Sequence, residues 1–123
     1  MANLIWWFEI PATDIDRAIK FYSAVFGYES MQKMDFGGFE MAFFPADQGS
    51  PGGALCKGES YKPNTDGVLI YFMANPDLSE ALSRVEPAGG KVLVPKKIIT
   101  EEHGYMALVT DTEGNKIALH SQK

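Results

Sequence analysis

Few side chains in this 123-residue chain can do covalent or acid–base chemistry. There is a single cysteine, Cys56, and there are 2 histidines, His103 and His120. Glu9 is a carboxylate inside an otherwise apolar stretch from Leu4 to Ile10. A carboxylate, a thiol and an imidazole brought into one cavity could do three things. They could hold a soft or borderline metal ion, run acid–base chemistry through a buried Glu9, or use Cys56 as a nucleophile with His120 as its base. Each residue also has a plainer reading. Glu9 could hydrogen-bond a neighbouring strand or loop, because charged groups are rarely buried without a partner. Cys56 could be a small buried hydrophobe. His120 could be an edge residue near the chain end.

The elements that must position these residues come twice. Glu9-Ile10-Pro11-Ala12-Thr13-Asp14-Ile15, leading to Gly27, reappears as Phe72-Met73-Ala74-Asn75-Pro76-Asp77-Leu78, leading to Gly90. Gly53-Ala54-Leu55-Cys56 reappears as Ile117-Ala118-Leu119-His120, which makes Cys56 and His120 counterparts. Leu4 to Ile10 reads as a buried strand. Thr13 with Asp16 reads as a capping box, and Ile15, Ala18, Ile19, Tyr22, Val25 and Phe26 recur at helical spacing up to Gly27. Strands over 28–34, 39–44 and 53–57 follow. The second half opens with a strand over 68–74. Asn75 then caps a helix with Pro76 at its first position, and strands follow over 91–98, 105–110 and 116–120. Asp111 to Asn115 reads as a tight turn without the alternating oxygens of a calcium loop. The fold class is therefore α+β, two tandem βαβββ modules in one domain over 1–123. Module one spans 1–60, a linker rich in turn residues about 58–67, and module two 67–123. Three strands per helix leave one face of each sheet uncovered, and two such faces would make a barrel-like cleft.

Composition narrows the partners. The apolar share is 46% and the net charge −5, which suits a globular protein and lacks a nucleic-acid footprint. An acidic balance favours cationic or neutral ligands weakly, at long range. No stretch reads as a membrane span or signal peptide. One cysteine permits no internal disulfide, in keeping with a cytoplasmic location.

The chain resembles the vicinal oxygen chelate superfamily, which includes glyoxalase I, extradiol dioxygenases and fosfomycin- and bleomycin-resistance proteins. The motifs are Phe8-Glu9-Ile10-Pro11 and Asp14-x-x-Arg17-Ala18-x-x-Phe21-Tyr22-x-x-Val25-Phe26-Gly27. Gly52-Gly53-Ala54-Leu55, Ala88-Gly89-Gly90-Lys91-Val92, Gly104-Tyr105 and Asp111-x-Glu113-Gly114-Asn115-Lys116-Ile117-Ala118-Leu119 complete the match. The resemblance implies metal ligands on the first and last strand of each module. Those positions hold Trp7, Ala54, Ile70 (or Leu69) and Ala118, none of which binds a divalent cation. No cofactor is therefore expected, and a divalent metal could sit only at a displaced site. If Trp7, Ala54 and Ala118 point into the cleft, strand alternation sends Glu9, Cys56 and His120 there too. Trp7 would wall a flat or cationic ligand, with Phe72, Met41 and Phe43 as further apolar wall. Tyr105 would offer a hydroxyl, and His103 a loop contact at the mouth.

Three functions follow from the resemblance. The first is small-molecule binding of the bleomycin-resistance type, without the usual metal. The second is a superfamily enzyme of lyase, isomerase or dioxygenase type using Glu9, Cys56 or His120, with glutathione-dependent glyoxalase I activity disfavoured. The third is association, since Leu4 to Phe8 is apolar enough to be sheltered by a partner in a homodimer.

Overall fold

The computed structural model describes residues 4–123. The first half runs β1 (Trp7–Pro11), α1 (Ile15–Phe26), β2 (Gln32–Asp35), β3 (Glu40–Phe43) and β4 (Gly52–Lys57). The second runs β5 (Tyr71–Met73), α2 (Ser79–Val85), β6 (Lys91–Thr100), β7 (Gly104–Thr110) and β8 (Lys116–Ser121). Each half makes one four-stranded sheet, in the orders β1-β4-β3-β2 and β5-β8-β7-β6. In each sheet the first strand lies parallel to the last and the other pairs are antiparallel. A parallel pair needs a long crossover, and the helix begins it in both halves. The sheets are not joined into a closed barrel.

α1 forms because Ile15, Ala18, Phe21, Tyr22 and Val25 fall on one stripe, all buried. Asp14, not Thr13, is its cap: Asp14 is extended at φ −138° and its carboxylate accepts from the Arg17 N–H at 3.0 Å. Thr13 instead donates its hydroxyl to Glu113. Gly27 ends the helix at φ 75°, a left-handed conformation that glycine adopts without a Cβ clash. α2 is shorter than its repeat suggests. It starts at Ser79 with Leu78 in the cap position and no side-chain cap, so Asn75 does not cap it; the Ser79 N–H bonds the Asp77 carboxylate just ahead of the helix at 2.9 Å. Asn75 accepts from the Gln122 N–H instead, and its peptide bond to Pro76 is cis.

The strands at the sheet edges are the ones that differ from expectation. β1 begins at Trp7, leaving Leu4 to Trp6 outside it, and only its Ile10 is fully buried. β2 lies over Gln32–Asp35 rather than 28–34, and β5 shrinks to three residues. An edge strand extends only as far as its single neighbour reaches, which local sequence does not encode.

One core serves both halves. Phe8, Tyr22, Phe26 and Phe44 from the first half converge on Phe72 from the second, with Phe26 and Phe72 stacked at 4.8 Å between ring centres. A β-carbon on Gly53 would strike the Phe8 ring, so glycine there lets Phe8 lie across β4. The halves are also latched by polar groups. Glu113, in the β7–β8 turn, accepts from the backbone N–H groups of Thr13 and Asp14 at 2.9 Å each, and pairs with Arg17 at 2.7 Å. Asp111, buried in the same turn, accepts from the Tyr22 hydroxyl at 2.7 Å and from the Asn115 side-chain amide at 2.9 Å. The segment read as a plain turn thus fixes the start of α1 against the second sheet.

Candidate functional site

In each sheet one face packs on the helices and shared core, and the other does not. On the outer face of the first sheet, pairing of Glu9 with Ala54 and of Met41 with Cys56 brings several expected site residues together. Met41, Ala54 and Cys56 form a small apolar cluster of their own, flanked by Phe39, Phe43 and Tyr61. Trp7 stands 6.0 Å from Phe43 between ring centres and donates its indole N–H to Glu9 Oε2 at 3.2 Å. Tyr61 donates its hydroxyl to Glu9 Oε1 at 2.7 Å and stacks on Phe39 at 5.5 Å. Glu9 is therefore exposed and held by two donors, rather than buried.

Cys56 is fully buried. Burial, reinforced by the negative charge of Glu9, pushes its thiol up to about 12, which leaves almost no thiolate at neutral pH. The bond to Glu9 holds the Tyr61 phenol at about 12 as well. Tyr61 lies in the segment read as a linker, and sequence reasoning assigned it no role. An aromatic residue among Lys, Pro, Asn and Gly was the available signal.

His120 belongs to the other sheet. It is half-buried in β8, level with Met106 and Met73, and its Nε2 lies 2.6 Å from the His103 carbonyl oxygen. His103 is exposed, its ring Nδ1 2.9 Å from the Thr100 hydroxyl. Glu9 and Cys56 are thus neighbours, while His120 keeps company with His103. No hydrogen bond or ion pair among the described residues joins the two groups. Tyr105 faces the helix side, with the Lys96 ammonium 4.6 Å from its ring centre. Phe72 likewise turns into the shared core.

The register explains Phe72. Glu9 pairs with Ala54, and Tyr71 pairs with Ala118. Ala54 and Ala118 being repeat counterparts, Tyr71 matches Glu9, Ile70 matches Phe8, and Leu69 matches Trp7. A shift of one residue in β5 sends Phe72 to the opposite face.

Two hollows open at the seam between the halves, and Phe8 and Ile70 line both. The first, of about 410 Å³, is bounded by Trp7, Glu9 and Ile10 from one half and by Asn115, Lys116 and Ile117 from the other. The second, of about 430 Å³, is bounded by Tyr28, Phe44, Tyr71 and Met73 among others. Volumes of this size suit small organic ligands. Trp7, Ala54, Ala118 and either Ile70 or Leu69 carry no oxygen, sulfur or imidazole donor. Among the described residues no three His, Cys, Asp or Glu side chains come together. The residues present do not fit a divalent cation of the superfamily's kind.

Tandem βαβββ halves, each a sheet carrying its first strand parallel to its last, define a glyoxalase-like fold. The chain belongs to the Glyoxalase/Bleomycin resistance protein/Dioxygenase superfamily, matching it over residues 4–119. Solved structures agree on the fold. Glyoxalase I from Zea mays superposes with a TM-score of 0.73 at 19% identity, covering 95% of this chain and 45% of that one. The chain thus spans about half the length of the maize enzyme. The trypanothione-dependent glyoxalase I of Leishmania major gives 0.70 at 21% identity, covering 98% and 88%. A glyoxalase/bleomycin resistance protein from Albidiferax ferrireducens gives 0.70 at 19% identity, covering 98% and 100%. No curated protein matches the chain.

Proposed function

We propose that the protein binds a small molecule in the 410 Å³ hollow at the seam of its halves, without the divalent cation that some superfamily members use. The observation that carries this reading is the lining. Both halves contribute to a largely apolar recess, and Trp7 stands where a metal ligand is expected. The enzymatic alternative through Cys56 loses support, because a buried thiol near 12 is a poor nucleophile and no imidazole stands beside it.

We further infer that the chain works as a homodimer in the cytoplasm. β1 is a free sheet edge, and Leu4, Ile5 and Trp6 beside it are 95%, 62% and 68% exposed. A second copy is the occupant that would shelter them. No helix among the described residues is long and apolar enough to cross a membrane.

A thermal-shift screen of small aromatic compounds, with Trp fluorescence as a second readout, tests the binding reading. Hits should disappear in Ile70→Trp, which fills the hollow. A screen without hits, or hits indifferent to that substitution, would overturn it. Elemental analysis and a Ni, Zn, Mn, Fe and Co series should show no bound ion, and methylglyoxal with glutathione should not turn over. Light scattering at several concentrations reads the dimer; a monomer throughout would remove it.

A further inference from the structure

The polar side chains around the seam hollow differ in one respect that bears on what it holds. Glu9 has both oxygens engaged, one by Tyr61 and one by Trp7. The Asn115 amide gives its N–H groups to the Pro11 carbonyl at 2.7 Å and to Asp111, and its oxygen accepts from the Asn64 N–H. The Asn64 amide is tied to its own loop, accepting from the Asp66 N–H and donating to the Lys62 carbonyl. Lys116 is the exception. Lys116 lines the same hollow and is half-buried, and its ammonium has no hydrogen bond or ion pair among the described residues.

We propose, resting on the seam-binding reading above, that the ligand is an apolar molecule bearing an anionic group, and that Lys116 is the residue that pairs with it. A cation beside apolar walls gains most from a counter-charge, because the surroundings screen less than water does. An ammonium is a compact point charge with three donors, and it accepts a carboxylate, sulfonate or phosphate oxygen without demanding a planar partner. Ile5, Phe8, Val68, Ile70 and Ile117 would cover the body of the ligand. The net charge of −5 favours cations only at long range, where salt screens it; the contact with Lys116 is local.

The test uses three probes of matched shape: naphthoate, naphthalenemethanol and naphthylmethylammonium, titrated calorimetrically into the full chain. We expect naphthoate to bind roughly tenfold more tightly than the alcohol, the effect of one charge-assisted hydrogen bond. That preference should vanish in Lys116→Gln and survive in Lys116→Arg, both with unchanged melting temperature. Equal binding of all three probes, or an anion preference that outlasts Lys116→Gln, would overturn the role of Lys116 and leave the seam site standing. Preference for the ammonium would overturn it too and transfer the charge recognition to Glu9. If none of the three binds, the seam site itself falls, and the ligand class with it.

Discussion

Glu113 should carry a measurable share of the stability of this fold, and its removal is the sharpest test of how the halves are held. Burial alone raises the carboxyl, but the Arg17 bond, the N–H groups of Asp14 and Thr13 and the Thr112 hydroxyl outweigh it and hold it at about 2, against an ordinary 4.5. At about 1.36 kcal/mol per pH unit this corresponds to roughly 3 kcal/mol. Arg17 is 50% exposed, so solvent screens its part, and about 2 kcal/mol is the better figure. A carboxyl depressed on folding stabilises fully above its unfolded value. That contribution is present above about pH 5 and drains away as pH falls from 4.5 towards 2. Glu113→Gln keeps the shape and loses the charge. Urea unfolding followed by circular dichroism at neutral pH should show a loss of about 2 kcal/mol, or roughly 6–10 °C in melting temperature. The gap between wild type and variant should narrow to less than half by pH 3 and close only towards pH 2. A variant as stable as wild type at neutral pH, or a gap that stays constant with pH, would refute the latch.

Three further outcomes are expected. Cys56, with its thiol near 12, should resist a disulfide exchange reagent in the native protein at neutral pH and react promptly in urea; rapid native labelling would show that burial does not protect it. Tyr22→Phe removes the donor to the buried Asp111 and should cost about 1–3 kcal/mol, read by urea midpoint at unchanged slope. Phe72→Ala empties the centre of the aromatic core and should cost about 3–5 kcal/mol, whereas Met73→Ala, at 81% exposure next door, should cost little.

Much of the architecture is visible in the amino acids because it is local. The stripe from Ile15 to Val25 and the glycine at 27 announce α1, and the doubled motifs announce two equivalent halves. What is not visible depends on partners distant along the chain. Tyr61 meets Glu9 across 52 positions, and Glu113 meets Thr13 across 100. The repeat alignment sets Phe72 against Glu9, whereas the pairing of β5 with β8 sets Tyr71 there. One residue of slippage reverses a strand's faces, so Phe72 moves from the expected ligand wall to the core. The neighbourhood of Glu9 and Cys56 was legible from alternation along two strands that pair. The separation of His120 was not, because alternation assigns a face and says nothing of which sheet that face confronts.

The junction between β1 and β5 carries a geometric implication. No backbone hydrogen bond among the described residues crosses it; aromatic and aliphatic side chains, Phe8 against Phe72 foremost, fill the gap. The width of the aperture is therefore set by the size of the side chains that meet there, and resizing Phe8 or Phe72 would alter it while leaving the hydrogen-bond ladder of each sheet whole.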